Sequence, residues 1–164
     1  MNKTTLAYIL HTIPYTKKAY IIHSLTPTGR VSFFLPSISP KNKSYEYIKI
    51  PLVNVEITYN ELTTRQHLYK VDQIYLYSFP EMICEHVLHS AVASFMVEII
   101  MKLTPQDLYD TQLYNILKIF VDKLNKWEKI PNAFILSFMA NILDYLGILS
   151  RKNHSTIDAM PHYE

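Results

Sequence analysis

The stretch Ala19–Phe34, AYIIHSLTPTGRVSFF, decides the fold. Two alternating runs rich in Ile, Val, Tyr and Phe flank Thr26-Pro27-Thr28-Gly29, a compact turn in which Gly29 can take a positive φ, so the sequence predicts a β-hairpin. Its strands are expected at Lys18–Thr26 and Gly29–Pro36. Three further runs of the same kind, Thr5–Ile13, Ile48–Asn60 and His67–Tyr77, are bounded by Pro, Asn, Gly and Lys punctuation. Five strands in close succession suggest a small barrel. In the first of them Leu6, Tyr8 and Leu10 alternate with Ala7, Ile9 and His11, so both faces are fairly apolar, as in a strongly curved sheet. Ser37–Tyr47 reads as an irregular, basic loop. Pro51 has no N–H to give to a ladder and belongs at an edge or a bulge.

After Phe79-Pro80 the period changes from two to between three and four. Val92, Met96, Ile99 and Leu103 recur at helical steps and predict a buried helix over about His86–Leu103, stopped by Thr104-Pro105. A second helix is expected from Asp107, with Leu113, Ile116, Leu117, Phe120, Val121 and Leu124 as its apolar stripe. Ile130-Pro131-Asn132 separates it from a third, with Asn132 as the expected cap and Gly147 as the expected end. The polar, aperiodic residues Arg151–Glu164 are expected to be frayed. The expected class is therefore α+β: a five-stranded β-barrel over residues 1–80, an all-α domain over 81–150 and a flexible tail over 151–164.

Charge divides at the same place. Through Pro80 nine cations stand against four carboxylates, a net of +5, and from Glu81 onward seven stand against ten, a net of −3. The overall +2 thus hides a basic barrel joined to an acidic helical body, an electrostatic footprint that suits nucleic acid. Phosphate binding needs cations spread along one surface, and unpaired bases stack on exposed rings. Lys17 and Lys18 at the first turn, Arg30 at the second, and Lys41, Lys43, Tyr45, Tyr47 and Lys49 before the fourth strand make up the candidate DNA-binding set. Arg65 and Lys70 are weaker candidates. The competing reading is that turns are wet and that lysine keeps strand edges from pairing with other chains.

No catalytic reading assembles. There is no Walker-type loop, GxSxG elbow, HExxH or distinctive carboxylate pair, and only 2 glycines are present, so an enzyme is not expected. Cys84, His86 and His89 offer three ligands close in sequence, but a structural zinc usually takes four and a Cys-x-x-Cys pair. No metal or other cofactor is expected. Cys84 as a nucleophile lacks a cationic niche beside Glu81 and Glu85. A single cysteine suits a reducing compartment. The apolar stretch after Met1-Asn2-Lys3 is broken by His11 and Pro14, and Val87–Leu103 is interrupted by polar residues, so neither an export signal nor a membrane span is expected. The cytoplasm is the expected location.

Several local patterns together resemble the RecO family of DNA repair and recombination mediators, over about Leu6 to Leu149. Ala19–Phe34 resembles that family's second and third barrel strands with their Thr-x-x-Gly turn. Lys41–Lys43 falls at its basic loop, and Ile50-Pro51-Leu52 with Val55-Glu56 resembles the strand that follows. Ser90–Ile100 is similar to its first long helix, with an acidic residue in an apolar frame, and Phe134–Gly147 resembles its helix closing on Leu-Gly. The resemblance implies an OB-fold followed by helices, binding of single- and double-stranded DNA without turnover, strand annealing, and cooperation with RecR and single-strand-binding protein to load RecA. It is to a shortened relative, since members usually continue for several more helices. The zinc element of some members is not carried over, because Cys84 is the only cysteine. The rival expectation is a protein-interaction module that keeps the fold without binding DNA.

Overall fold

The computed structural model describes residues 2–36, 44–65, 68–104 and 111–149, with backbone alone for 44–45 and 61–65. Strands β1 (Asn2–Pro14), β2 (Tyr20–Thr26), β3 (Gly29–Leu35), β4 (Asn54–Arg65) and β5 (Leu68–Ser78) close in the order β1-β2-β3-β5-β4. The short helix α1 (Ser44–Tyr47) lies between β3 and β4. Five strands in this Greek-key order are the arrangement of an OB-fold. The seam that closes it is thin: β3 and β5 run parallel through Ser32–Leu68, Phe33–Tyr69 and Phe34–Lys70, whereas every other pairing is antiparallel.

The predicted hairpin forms as expected. Gly29 has φ +119°, and the Thr26 hydroxyl closes the turn, lying 3.0 Å from the Gly29 carbonyl and accepting from the Thr28 N–H at 3.3 Å. Alternation along the strands sends Ala7, Ile9, Ile22, Phe33, Val55, Ile57, Val71 and Ile74 into the barrel, where all are buried. Their neighbours Tyr8, Leu10 and Leu25 are buried too, in the cluster formed with the helices. This is why both faces of these strands are apolar: one lines the barrel and part of the other is a floor for the helical layer.

Two local expectations are corrected. The fourth strand begins at Asn54, not Ile48, because Ile50 N–H donates to the Tyr47 carbonyl and Val53 N–H to the Ile50 carbonyl, making turns around Pro51. Leu52 takes a positive φ of +61° there, and its burial against the helical cluster offsets the strain. The connection Ser37–Tyr47 also contains a helical turn, α1, where only irregular loop was expected.

The helices are α2 (Glu81–Glu85), absent from the sequence reading, α3 (Val87–Leu103), α4 (Thr111–Lys126) and α5 (Phe134–Tyr145). The expected start at Asp107 and the tail 151–164 lie outside the described residues. Asn132 does not cap α5. Ala133 occupies that place without a side-chain bond, and Phe134 N–H donates to the Pro131 carbonyl. Gly147 ends the helix as expected, with φ +72°, its N–H on the Asp144 carbonyl and the Ile148 N–H on the Leu143 carbonyl, a Schellman arrangement.

A histidine ties α3 to the end of α4. His89 is 3% exposed, and its Nε2 lies 2.8 Å from the Trp127 carbonyl oxygen, which can only accept, so Nε2 carries the proton. His89→Leu is expected to cost about 1–3 kcal/mol, because the partly buried carbonyl is left without its donor. Urea unfolding measures this; an unchanged midpoint at unchanged m would show that water or another donor replaces the imidazole. No helix among the described residues is long and apolar enough to cross a membrane.

Candidate nucleic-acid interface

The five residues between β1 and β2 are held by their own backbone. Tyr15 and Thr16 donate N–H bonds to the Ala19 carbonyl at 2.9 and 3.1 Å, and the Thr16 hydroxyl accepts from the Lys18 and Ala19 N–H groups. This leaves Lys17 and Lys18 exposed at the loop tip. The same turn lays Tyr15, 65% exposed, edge-on to Phe34 of β3, with ring centroids 5.6 Å apart.

Phe34 points away from the barrel, since Phe33 beside it is fully buried inside. Ladder pairing sets Ile13, Ile21, Phe34 and Lys70 in one row across β1, β2, β3 and β5. Lys70 is exposed and its neighbour Val71 is buried, so the lysine also faces outward. Lys49 reaches the same end: its Nζ lies 6.0 Å from the ring centroid of Tyr20, the residue that opens β2. Two exposed or half-exposed rings and two isoleucines are thus framed by Lys17, Lys18, Lys49 and Lys70. The β4–β5 hairpin extends past this row to the Arg65–Leu68 pair, so the tip carrying Arg65 projects beyond it.

The expected set does not all converge here. Arg30 is the second residue of β3, four residues from Phe34, so it stands ~13 Å away along the strand. Its guanidinium bonds the carbonyls of Met101 (3.2 Å) and Thr104 (2.5 Å) and the Met101 sulfur (3.4 Å), at the C-terminal end of α3. Arg30 is a clamp between barrel and helices, where oriented carbonyls attract a cation. Tyr47 is half-buried against the barrel core and meets Phe79 edge-on at 5.8 Å, so it packs. Lys41 and Lys43 lie outside the described residues, and Tyr45 is placed on α1 by its backbone alone. The stacking candidates Tyr15 and Phe34 were missed by sequence reading; the signal available was the aromatic at the Pro14-Tyr15 turn beside two lysines.

On α2, Cys84 is exposed, and desolvation by its surroundings, then Glu85, raises its thiol pKa, away from a reactive thiolate. His86 and His89 rings stand 5.3 Å apart, but the His89 Nε2 is engaged with Trp127. No group of three or more potential metal ligands occurs among the described residues.

A family description, Recombination protein O C terminal, matches residues 85–154, which take in α3, α4 and α5. DNA repair protein RecO from each of two strains of Porphyromonas gingivalis is 27% identical over 147 residues, covering 87% of this chain. That coverage exceeds what the helices alone can supply, so the match runs through most of the barrel as well. The chain is similar to RecO proteins along most of its length. It spans 60% of the length of these RecO relatives. Among solved structures, aspartyl tRNA synthetase from Entamoeba histolytica covers 90% of this chain and 30% of its own at 14% identity and a TM-score of 0.37, a likeness too slight to bear on fold or function.

Proposed function

We propose that this chain is a non-catalytic DNA-binding mediator of recombinational repair that holds the phosphate backbone at the Lys17, Lys18, Lys49 and Lys70 end of its barrel, with Tyr15 and Phe34 receiving bases. The observation that carries this reading is the cationic frame around outward-facing rings on the β2–β3 side, between the β1–β2 loop and the β4–β5 hairpin, the part of an OB-fold suited to oligonucleotides. Lys41 and Lys43 are proposed as further phosphate contacts, together with Arg65 at the hairpin tip. The relatives' name, DNA repair protein RecO, agrees with it. Single strands and duplexes both offer the phosphates, and RecR, single-strand-binding protein and, through them, RecA are the proposed partners in the cytoplasm. The proposed division is a barrel domain over 1–80, a helical domain over 81–150 and a tail over 151–164.

With four lysines each neutralising a phosphate, log K for an oligothymidylate should fall against log salt with a slope near −2.8, about −0.7 per contact. Lys17→Glu with Lys18→Glu should flatten the slope by about half and weaken every sequence alike. Fluorescence anisotropy of the full chain measures both. Affinity independent of salt would remove the barrel from consideration and leave the second reading, a protein-docking module, which is favoured by the exposed apolar residues Val87 (88%), Leu88 (62%) and Leu136 (73%) on α3 and α5.

A further inference from the structure

One row from Phe34 on the outer face, the ladder sets His11 of β1 directly across from His23 of β2, and His23 across from Ser32 of β3. The His23 Nδ1 lies 2.8 Å from the Ser32 Oγ, which fixes the imidazole over the sheet. Leu68 of β5 follows in the row without charge, and Arg65 of β4 is paired across from it. Arg30 is the cation nearest along β3. Lys49 from the α1–β4 segment and Glu98 from α3 line, with His11, a cleft of about 500 Å3 between β1 and α3. That carboxylate is held by Lys102 at 2.6 Å. Two imidazoles therefore share a surface whose charged neighbours are mainly cationic, and the row adjoins the proposed strand path.

We propose that this pair couples strand binding to protonation: a phosphate seated over the row draws a proton from solvent onto His23, with His11 beside it, so DNA is held more tightly as pH falls. The inference rests on the DNA reading above. Burial, then His11, then Arg30 keep the His23 pKa below the ordinary imidazole value, so the ring is neutral at pH 7 in the free protein. A phosphodiester, anionic throughout this range, opposes all three influences by supplying the counter-charge. Each pKa unit by which it raises the imidazole contributes about a tenfold gain in affinity at acid pH.

The test is anisotropy of rhodamine-labelled oligothymidylate, whose bases do not titrate here, with the full chain at constant ionic strength between about pH 5.5 and 7.5. The parent should tighten about tenfold on acidification. His11→Gln with His23→Gln should lose the tightening, its affinity staying flat across this pH range. Proton uptake on binding, read by calorimetry of the parent in buffers of different ionisation enthalpy, tests the same point without a variant. Salt-dependent binding that is flat with pH, zero proton uptake, or tightening that survives in the folded double variant would each overturn the coupling and leave the DNA reading standing. Absence of binding at every pH would overturn both.

Discussion

Phe33→Ala is expected to cost about 3–5 kcal/mol, the range for deleting a buried aromatic ring. Phe33 is fully buried at the centre of the barrel, edge-on to Tyr59 at 5.2 Å and tilted against Tyr69 at 6.3 Å, so collapse around the cavity would have to move two strands. Because whole domains are stable by only about 5–15 kcal/mol, the variant should sit near the edge of folding at ambient temperature. The sole tryptophan, Trp127, packs against the helical cluster beside Phe134, well away from this cavity in the chain. Its fluorescence should nonetheless show the urea midpoint falling, because Tyr8, Leu10, Leu25 and Leu52 from the barrel half share a core with Met96, Leu117 and Phe138 from the helices. An unmoved Trp127 midpoint alongside a lowered far-UV transition would instead show that the halves meeting at Pro80 unfold independently.

Arg30→Ala is the second large loss, about 3 kcal/mol, from two charge-assisted bonds to carbonyls at the end of α3. The Met101 and Thr104 oxygens lose their cation, and the favourable charge at a helix C-terminus goes with it. Arg30→Lys should recover only part, since an ammonium lacks the planar fork that holds the two carbonyls from Nη1 and the Met101 sulfur from Nη2. The salt slope of DNA binding should stay unchanged in both variants. A slope reduced by about 0.7, with stability unaltered, would return Arg30 to the phosphate contacts and contradict its role as a clamp.

These two residues also mark how far local pattern reaches. Phe33 was recognisable as half of an alternating run, and its inward direction followed once the barrel closed. Arg30 was grouped with the lysines because it sits at a turn, yet the loop lysines and Arg30 open their strands at opposite ends of the β2–β3 ladder. Lys70 was the weaker candidate, since nothing local says that β5 runs beside β3. That parallel seam joins residues more than thirty positions apart and brings Lys70 next to Phe34. α2 escaped because five residues hold too little periodicity, and Asn132 was a reasonable cap by residue type that the Pro131 turn displaced by one position.

From the sequence alone came the number of strands, the Gly29 turn, the switch to helices at Pro80, the helix end at Gly147 and the excess of cations in the front half, because period, backbone permissiveness and charge are carried within a few neighbouring residues. The tertiary structure decided which outward-facing strand residues stay in water and which become a floor for α3 to α5, and which cations share a surface and which is bound to a helix end. Those outcomes depend on pairings between segments distant in the chain, and a strand's own alternation is the same whichever neighbour it acquires.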